Sequence, residues 1–144
     1  MRLTNYTDYS LRVLIYLASK EKGELSNIKE IAEAYRISKN HLMKVTYELG
    51  KMKVIETVRG RGGGIRLALS PEEINIGAIV RQTEDDFNLV ECFDPERNMC
   101  AISPACKLKG VLHKALRAYL EVLDGYTLAD LVQNKSMLSE LLKH

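Results

Sequence analysis

Hydrophobic residues recur at helical spacing through the first third of the chain. Over residues 7–20, Tyr9, Val13, Tyr16 and Leu17 share one helical face with Leu14 and Ala18 beside them, and Gly23 ends the element. Asn27 is placed to cap a second helix, with Glu30 three residues on completing a capping box. Ile28, Ile31 and Ala32 form its inward stripe. That helix is short, because Tyr35-Arg36-Ile37 leads directly to Ser38, a second good cap. A third helix follows, with Leu42, Val45 and Leu49 inward and Gly50 placed to end it. Two short helices joined by about three to four residues, with Ile31, Ala32, Ile37, Leu42 and Val45 along a common seam, predict a helix-turn-helix. A generic helical hairpin would show the same pattern.

The period then changes. Residues 54–58 and 65–69 read as paired strands around the tip RGRGGG, residues 59–64, which carries Arg59 and Arg61. Helix-turn-helix followed by a β-hairpin is a winged helix, and an arginine-tipped wing suits a minor groove. A phosphate-cradling loop is excluded, since GxGxxG would need glycine where Ile65 stands and no GxxxxGK occurs. Ser70-Pro71-Glu72-Glu73 reads as a helix start, with the helix running through Ile76, Ile79 and Val80. Residues 84–105 lack periodicity. From about Cys106 to Asp124 a long amphipathic helix carries Leu108, Val111, Leu112, Ala115, Leu116, Tyr119, Leu120 and Leu123 on its apolar side. Gly125 ends it, and Thr127 with Asp130 opens a short final helix as a capping box. The tail SMLSELLKH is expected to fold back or fray. The expected class is mainly α with a small β-hairpin. Residues 1–83 form a winged helix-turn-helix domain, 84–105 a cysteine-bearing loop, and 106–144 a dimerisation helix with a C-terminal helix. The long apolar face is wider than one small domain needs, and half-sites about 34 Å apart favour paired reading heads.

Charge sharpens this division. The net charge is only +2. Residues 36–66 nevertheless carry eight Lys or Arg against two Glu, whereas residues 82–104 carry six acids against Arg97 alone. A basic segment beside an acidic one points to polyanion binding in one part and another task in the other. Lys39, Asn40, His41 and Lys44 fall on or near the outer face of the third helix. Lysines 39, 44, 51 and 53 suit phosphates, Asn40 and His41 base edges, and Arg59 and Arg61 the minor groove. At 144 residues a large catalytic cleft would strain the chain, and no nucleophile motif or paired acid and base emerges. No apolar run reaches membrane-spanning length, so the cytosol is the expected compartment.

All three cysteines lie in ECFDPERNMCAISPACKLKG, residues 91–110, spaced C-x7-C-x5-C. An odd number cannot close internally as disulfides. Crowded thiolates repel, and a cation removes that cost. Soft sulfur favours an iron–sulfur cluster or zinc. The spacing lacks the CxxC knuckle of structural zinc sites and does not match ferredoxin runs. A cluster, zinc, or incidental thiols all remain open on spacing alone.

Four segments together carry a resemblance over nearly the whole chain: MRLTNYTDYSLRVLIYLA, IAEAYRIS, RGRGGGIRLAL and the C-x7-C-x5-C loop. They resemble the Rrf-two family of winged-helix regulators, and within it the nitric-oxide-sensing branch. The resemblance implies a homodimeric repressor on a palindromic double-stranded operator. It implies an iron–sulfur cluster, 4Fe-4S with 2Fe-2S as the alternative, held by Cys92, Cys100 and Cys106. Nitric oxide would be the signal that removes it. IscR-like relatives place a histidine three residues after the last cysteine, where this chain has Lys109. The nitric-oxide-sensing branch instead implies Asp8 from the partner subunit as fourth ligand, with Arg12 one turn later supporting its carboxylate. Glu91, Asp94, Glu96 and His113 are local rivals. IscR-like or CymR-like sensing of cluster status, thiol oxidation or a metabolite is the alternative function, and a zinc-binding or cluster-carrier protein a further one.

Overall fold

The computed structural model describes residues 1–143. Helix α1 spans Asn5–Ala18, capped by Thr4, whose hydroxyl accepts from the Thr7 backbone N–H. It therefore starts and stops two residues earlier than its apolar spacing predicts. Helix α2 spans Ile28–Tyr35 and α3 spans Lys39–Lys51. Asn27 accepts from the Glu30 N–H at 2.8 Å, while the Glu30 carboxylate accepts from the Asn27 side-chain amide at 2.9 Å rather than from the backbone. Arg36 ends α2 in the left-handed conformation at φ 57°, and Ile37 donates back to the Ala32 carbonyl at 2.9 Å. The turn therefore spends one strained non-glycine residue to bring α3 across α2. Leu42, Val45 and Leu49 are fully buried beneath Ile31, Val13 and Leu14.

Strands β1 (Ile55–Val58) and β2 (Gly64–Leu67) pair antiparallel, with Ile55 opposite Leu67 and Val58 opposite Gly64. Glu56 and Arg66 face each other across the ladder at 2.7 Å. The root of the hairpin is sewn to the segment before α2, because Ser26 and Ile65 exchange backbone hydrogen bonds at 2.9 and 2.7 Å. Gly64 is required there: at φ +157° its absent Cβ would lie 2.6 Å from the Ser26 carbonyl oxygen.

The helix expected from Ser70 does not form. Pro71–Glu73 makes only a single 3-10 turn, and α4 (Ile76–Thr83) starts from a new cap at Asn75, whose side chain accepts from Ala78 N–H. Tertiary pairing overrides the local start signal. Leu128 N–H donates to the Ile74 carbonyl at 2.8 Å and Ile76 N–H to the Tyr126 carbonyl at 2.9 Å, holding residues 74–76 extended against 126–128.

Residues 84–105 contain two further 3-10 turns, at Glu91–Phe93 and Ser103–Ala105. Helix α5 spans Lys107–Asp124 and crosses α4. Helix α6 (Leu128–Leu131) opens with the Asp130 carboxylate accepting from Thr127 N–H at 2.8 Å. It is followed by α7 (Lys135–Leu141), so α6 is not the last helix. The tail does fold back: Ser139 donates to the Ser19 carbonyl at 2.9 Å. Leu120 and Leu128 enter the same core as α1 and α4, with Leu116, Tyr119 and Leu123 packed against it, but the N-terminal part of the α5 apolar side stays open, with Leu108 and Val111 each 60% exposed.

Candidate nucleic-acid interface and cysteine segment

Helix α3 has two sides because its buried residues fall at 42, 45, 46 and 49. What remains outward is Lys39, Asn40, Met43, Lys44, Tyr47 and Lys51. Lys51 spans the next turn, 3.5 Å from the Glu48 carboxylate and 5.4 Å from the Tyr47 ring centroid. His41 does not share this freedom. It is half-buried, and its ring meets Tyr9 of α1 edge-on at 4.8 Å. The hairpin tip carries Arg59 and Arg61, both exposed, and neither forms an ion pair among the described residues. A helix with a basic, accessible outer side and a flanking arginine-tipped hairpin is the geometry that enters adjacent grooves of a duplex.

Asp8 and Arg12 stand one turn apart on α1. The guanidinium grips the carboxylate at two points, Nε to Oδ1 at 3.0 Å and Nη2 to Oδ2 at 2.9 Å. Arg12 also lies over the rings of Tyr9 and Tyr35 at 5.6 and 5.8 Å. Tyr35 of α2 donates its hydroxyl to the Arg12 carbonyl at 2.9 Å. Burial pushes the Tyr35 hydroxyl up to about 12, against the opposing pull of Arg12, so it stays a proton donor. Asp8, Arg12, Tyr9, Tyr35 and His41 thus form one contact chain from α1 to α2 and α3.

The cysteine segment is folded by its own polar side chains. The Glu91 carboxylate accepts from Met99 N–H at 3.2 Å, and Asn98 Oδ1 accepts from Cys100 N–H at 3.0 Å. Asn98 also donates to the Ser103 hydroxyl at 2.9 Å. Phe93, next to Cys92, stacks flat on His113 of α5 with ring centroids 3.8 Å apart. Cys106 occupies the cap position of α5, where its side chain makes no capping hydrogen bond.

All three thiols are free and half-buried. Among the described residues no three His, Cys, Asp or Glu side chains make a group that could hold a metal ion. The donor chemistry still fits a sulfur-ligated cluster. The thiols are unbridged, and the segment is tied to α5 through the Phe93–His113 stack and through Cys106 at the cap. His113 stacks on Phe93, and Asp94 accepts from Glu96 N–H at 3.0 Å and lies 3.8 Å from the Arg97 guanidinium.

Two features lie outside the expectations drawn from the chain. Met43 and Tyr47 lie outside the buried stripe of α3, which their spacing from Leu42 and Val45 could have revealed. The other joins positions 80 residues apart, and no local pattern could have shown it. Glu84, which caps the end of α4 and begins the cysteine segment, accepts through Oε2 from Thr4 N–H at 3.0 Å and Thr4 Oγ1 at 2.6 Å. It also accepts from the Thr7 hydroxyl. The Thr83 hydroxyl donates to Thr7 Oγ1 at 2.9 Å. Burial pushes the Glu84 carboxyl up, but the bonds from Thr4 and Thr7 outweigh it and hold it below the ordinary glutamate value.

A family model described as "Rrf2: Iron-dependent Transcriptional regulator" matches residues 3–134. The chain is 68% identical to the HTH-type transcriptional regulator NsrR of Bacillus subtilis, covering 99% of this chain and 98% of that protein. It is 66% identical to NsrR of Bacillus licheniformis, covering 99% of each. Among solved structures, the oxidized form of Staphylococcus aureus CymR superposes with TM-score 0.73 at 29% identity over 92% of this chain and 97% of that one. T. potens IscR superposes with TM-score 0.74 at 26% identity over 93% and 88%.

Proposed function

The chain belongs to the Rrf2 family of transcriptional regulators, and on that premise we propose that it is a nitric-oxide-responsive repressor governed by an iron–sulfur cluster. It acts in the cytoplasm as a homodimer on a palindromic operator. The observation that carries this reading is the set of three free thiols on a segment tied at one end to α1 and at the other to α5. The family description, iron-dependent, and the name of the 68% identical relative point the same way.

Cys92, Cys100 and Cys106 would hold the cluster, 4Fe-4S or else 2Fe-2S, with the partner subunit's Asp8 as the remaining ligand. When bound, the cluster supplies iron that nitric oxide attacks. The open N-terminal part of the α5 apolar side, with Leu108 and Val111 exposed, is suited to cover its counterpart in a second copy. On this reading residues 1–83 would serve DNA binding, 84–105 the cluster, and 106–144 dimerisation through the long helix, with a C-terminal helix after it.

The chain's own residues connect the two tasks. In this structure Asp8 is held by Arg12 of the same helix. Drawing the carboxylate away leaves Arg12 between the rings of Tyr9 and Tyr35, and Tyr9 bears on His41 of α3. The N-terminal turn of α1 and the reading helix therefore move together. Two reading heads must fit their half-sites at once, so a small displacement lowers affinity greatly.

The test is a mobility shift of operator DNA with anaerobically purified, iron-chelated and nitric-oxide-treated protein. The untreated protein is expected to be brown and to bind most tightly. Equal affinity across the three preparations would overturn the reading. A colourless preparation containing zinc would favour the zinc alternative.

A further inference from the structure

We propose that Met43 reads a thymine methyl group in the major groove of each half-site. This rests on the DNA-binding role of α3 and not on the cluster. Met43 is 49% exposed and Tyr47 66% exposed, one turn apart on a helix whose core side is already complete at Leu42, Val45 and Leu49. Scattered exposed apolar residues are ordinary. These two are adjacent and lie among Lys39, Asn40, Lys44 and Lys51, on the surface whose charge suits a phosphate-lined groove.

The chemistry of the occupant follows from what a groove floor offers. Base edges there present donors, acceptors and a single apolar feature, the C5 methyl of thymine. A thioether has no strong donor or acceptor, so its contribution is apolar contact with that methyl. Position along α3 separates the two residues. Met43 is the fifth residue of the helix, and the N-terminal turns of a recognition helix reach the bases. Tyr47 lies one turn farther on, about 6 Å along the axis at 1.5 Å per residue. Its ring already carries the Lys51 ammonium, so it faces the sugar–phosphate wall. The Met43 backbone is held, since Thr46 donates to its carbonyl at 3.1 Å.

The experiment uses the full chain, purified anaerobically, to select its preferred duplex from a randomised pool. Each thymine of the selected half-site is then replaced by deoxyuridine, which deletes only the methyl. With the wild-type protein one thymine per half-site is expected to lose about fourfold in affinity, the value of one buried methyl. With Met43→Ala the same replacement is expected to cost less than about 1.5-fold, while Tyr47→Ala retains the fourfold penalty and weakens binding to every duplex alike. A half-site without thymine, a wild-type protein indifferent to every uracil, or a penalty that survives Met43→Ala would each overturn the proposal. Methyl sensitivity in a protein whose affinity ignores iron would leave Met43 assigned and sink the cluster reading instead.

Discussion

Replacing Glu84 by Gln tests whether the start of the cysteine segment is fastened to α1. The change keeps shape and removes charge. In the wild type one carboxylate oxygen accepts three hydrogen bonds from Thr4 and Thr7. Bonds to a charged acceptor contribute about 1.5–3 kcal/mol each, and a neutral amide oxygen keeps roughly half of that. The site is half-exposed, so solvent screening trims the difference further, to about 1–2 kcal/mol in all. Unfolding entropy near 2.1 cal/mol/K per residue over 144 residues gives about 0.3 kcal/mol/K, and hence a fall in Tm of about 3–7 °C. The pH dependence has a definite sign. Glu84 is held below its ordinary pKa of 4.5, so its stabilisation is complete above that value and is lost as pH falls through the folded-state pKa. Thermal melts of both proteins from neutral pH down to about 3.5 should therefore show the gap narrowing below about pH 4.5. No gap at neutral pH, or one of constant size down the acid limb, would refute the fastening.

Three further outcomes follow from the geometry. Gly77→Ala would place a Cβ 1.8 Å from Asp124 Oδ1 and 2.8 Å from the Asp124 backbone nitrogen, so it should break the 2.7 Å Arg81–Asp124 pair and cost about 1–3 kcal/mol by denaturant titration. Replacing Arg59 and Arg61 together by Ala should weaken operator binding and flatten the dependence of log affinity on log salt by about one to two units, with Tm unchanged. Arg12→Ala should free Asp8 from its bidentate partner and strip the cation from between Tyr9 and Tyr35. Its effect should appear in the ratio of iron-loaded to iron-free DNA affinity, measured by mobility shift, and an unchanged ratio would argue against relay through α1.

Local periodicity and short-range caps sufficed for most of the elements. The buried stripe of α3, the caps at Asn27 and Ser38, the glycine-rich hairpin and the clustering of Cys92, Cys100 and Cys106 all depend on neighbours a few residues apart. Their physical causes, side-chain period and backbone capping, act within a turn or two and are therefore written along the chain. The tertiary structure decided the rest. It moved the start of α4 from Ser70 to Asn75, because extended pairing with residues 126–128 satisfied the backbone better than a continued helix. It turned His41 inward onto Tyr9 and closed Glu84 onto Thr4 and Thr7. Those outcomes depend on groups brought together from distant parts of the chain, and only the packed core fixes which of them meet.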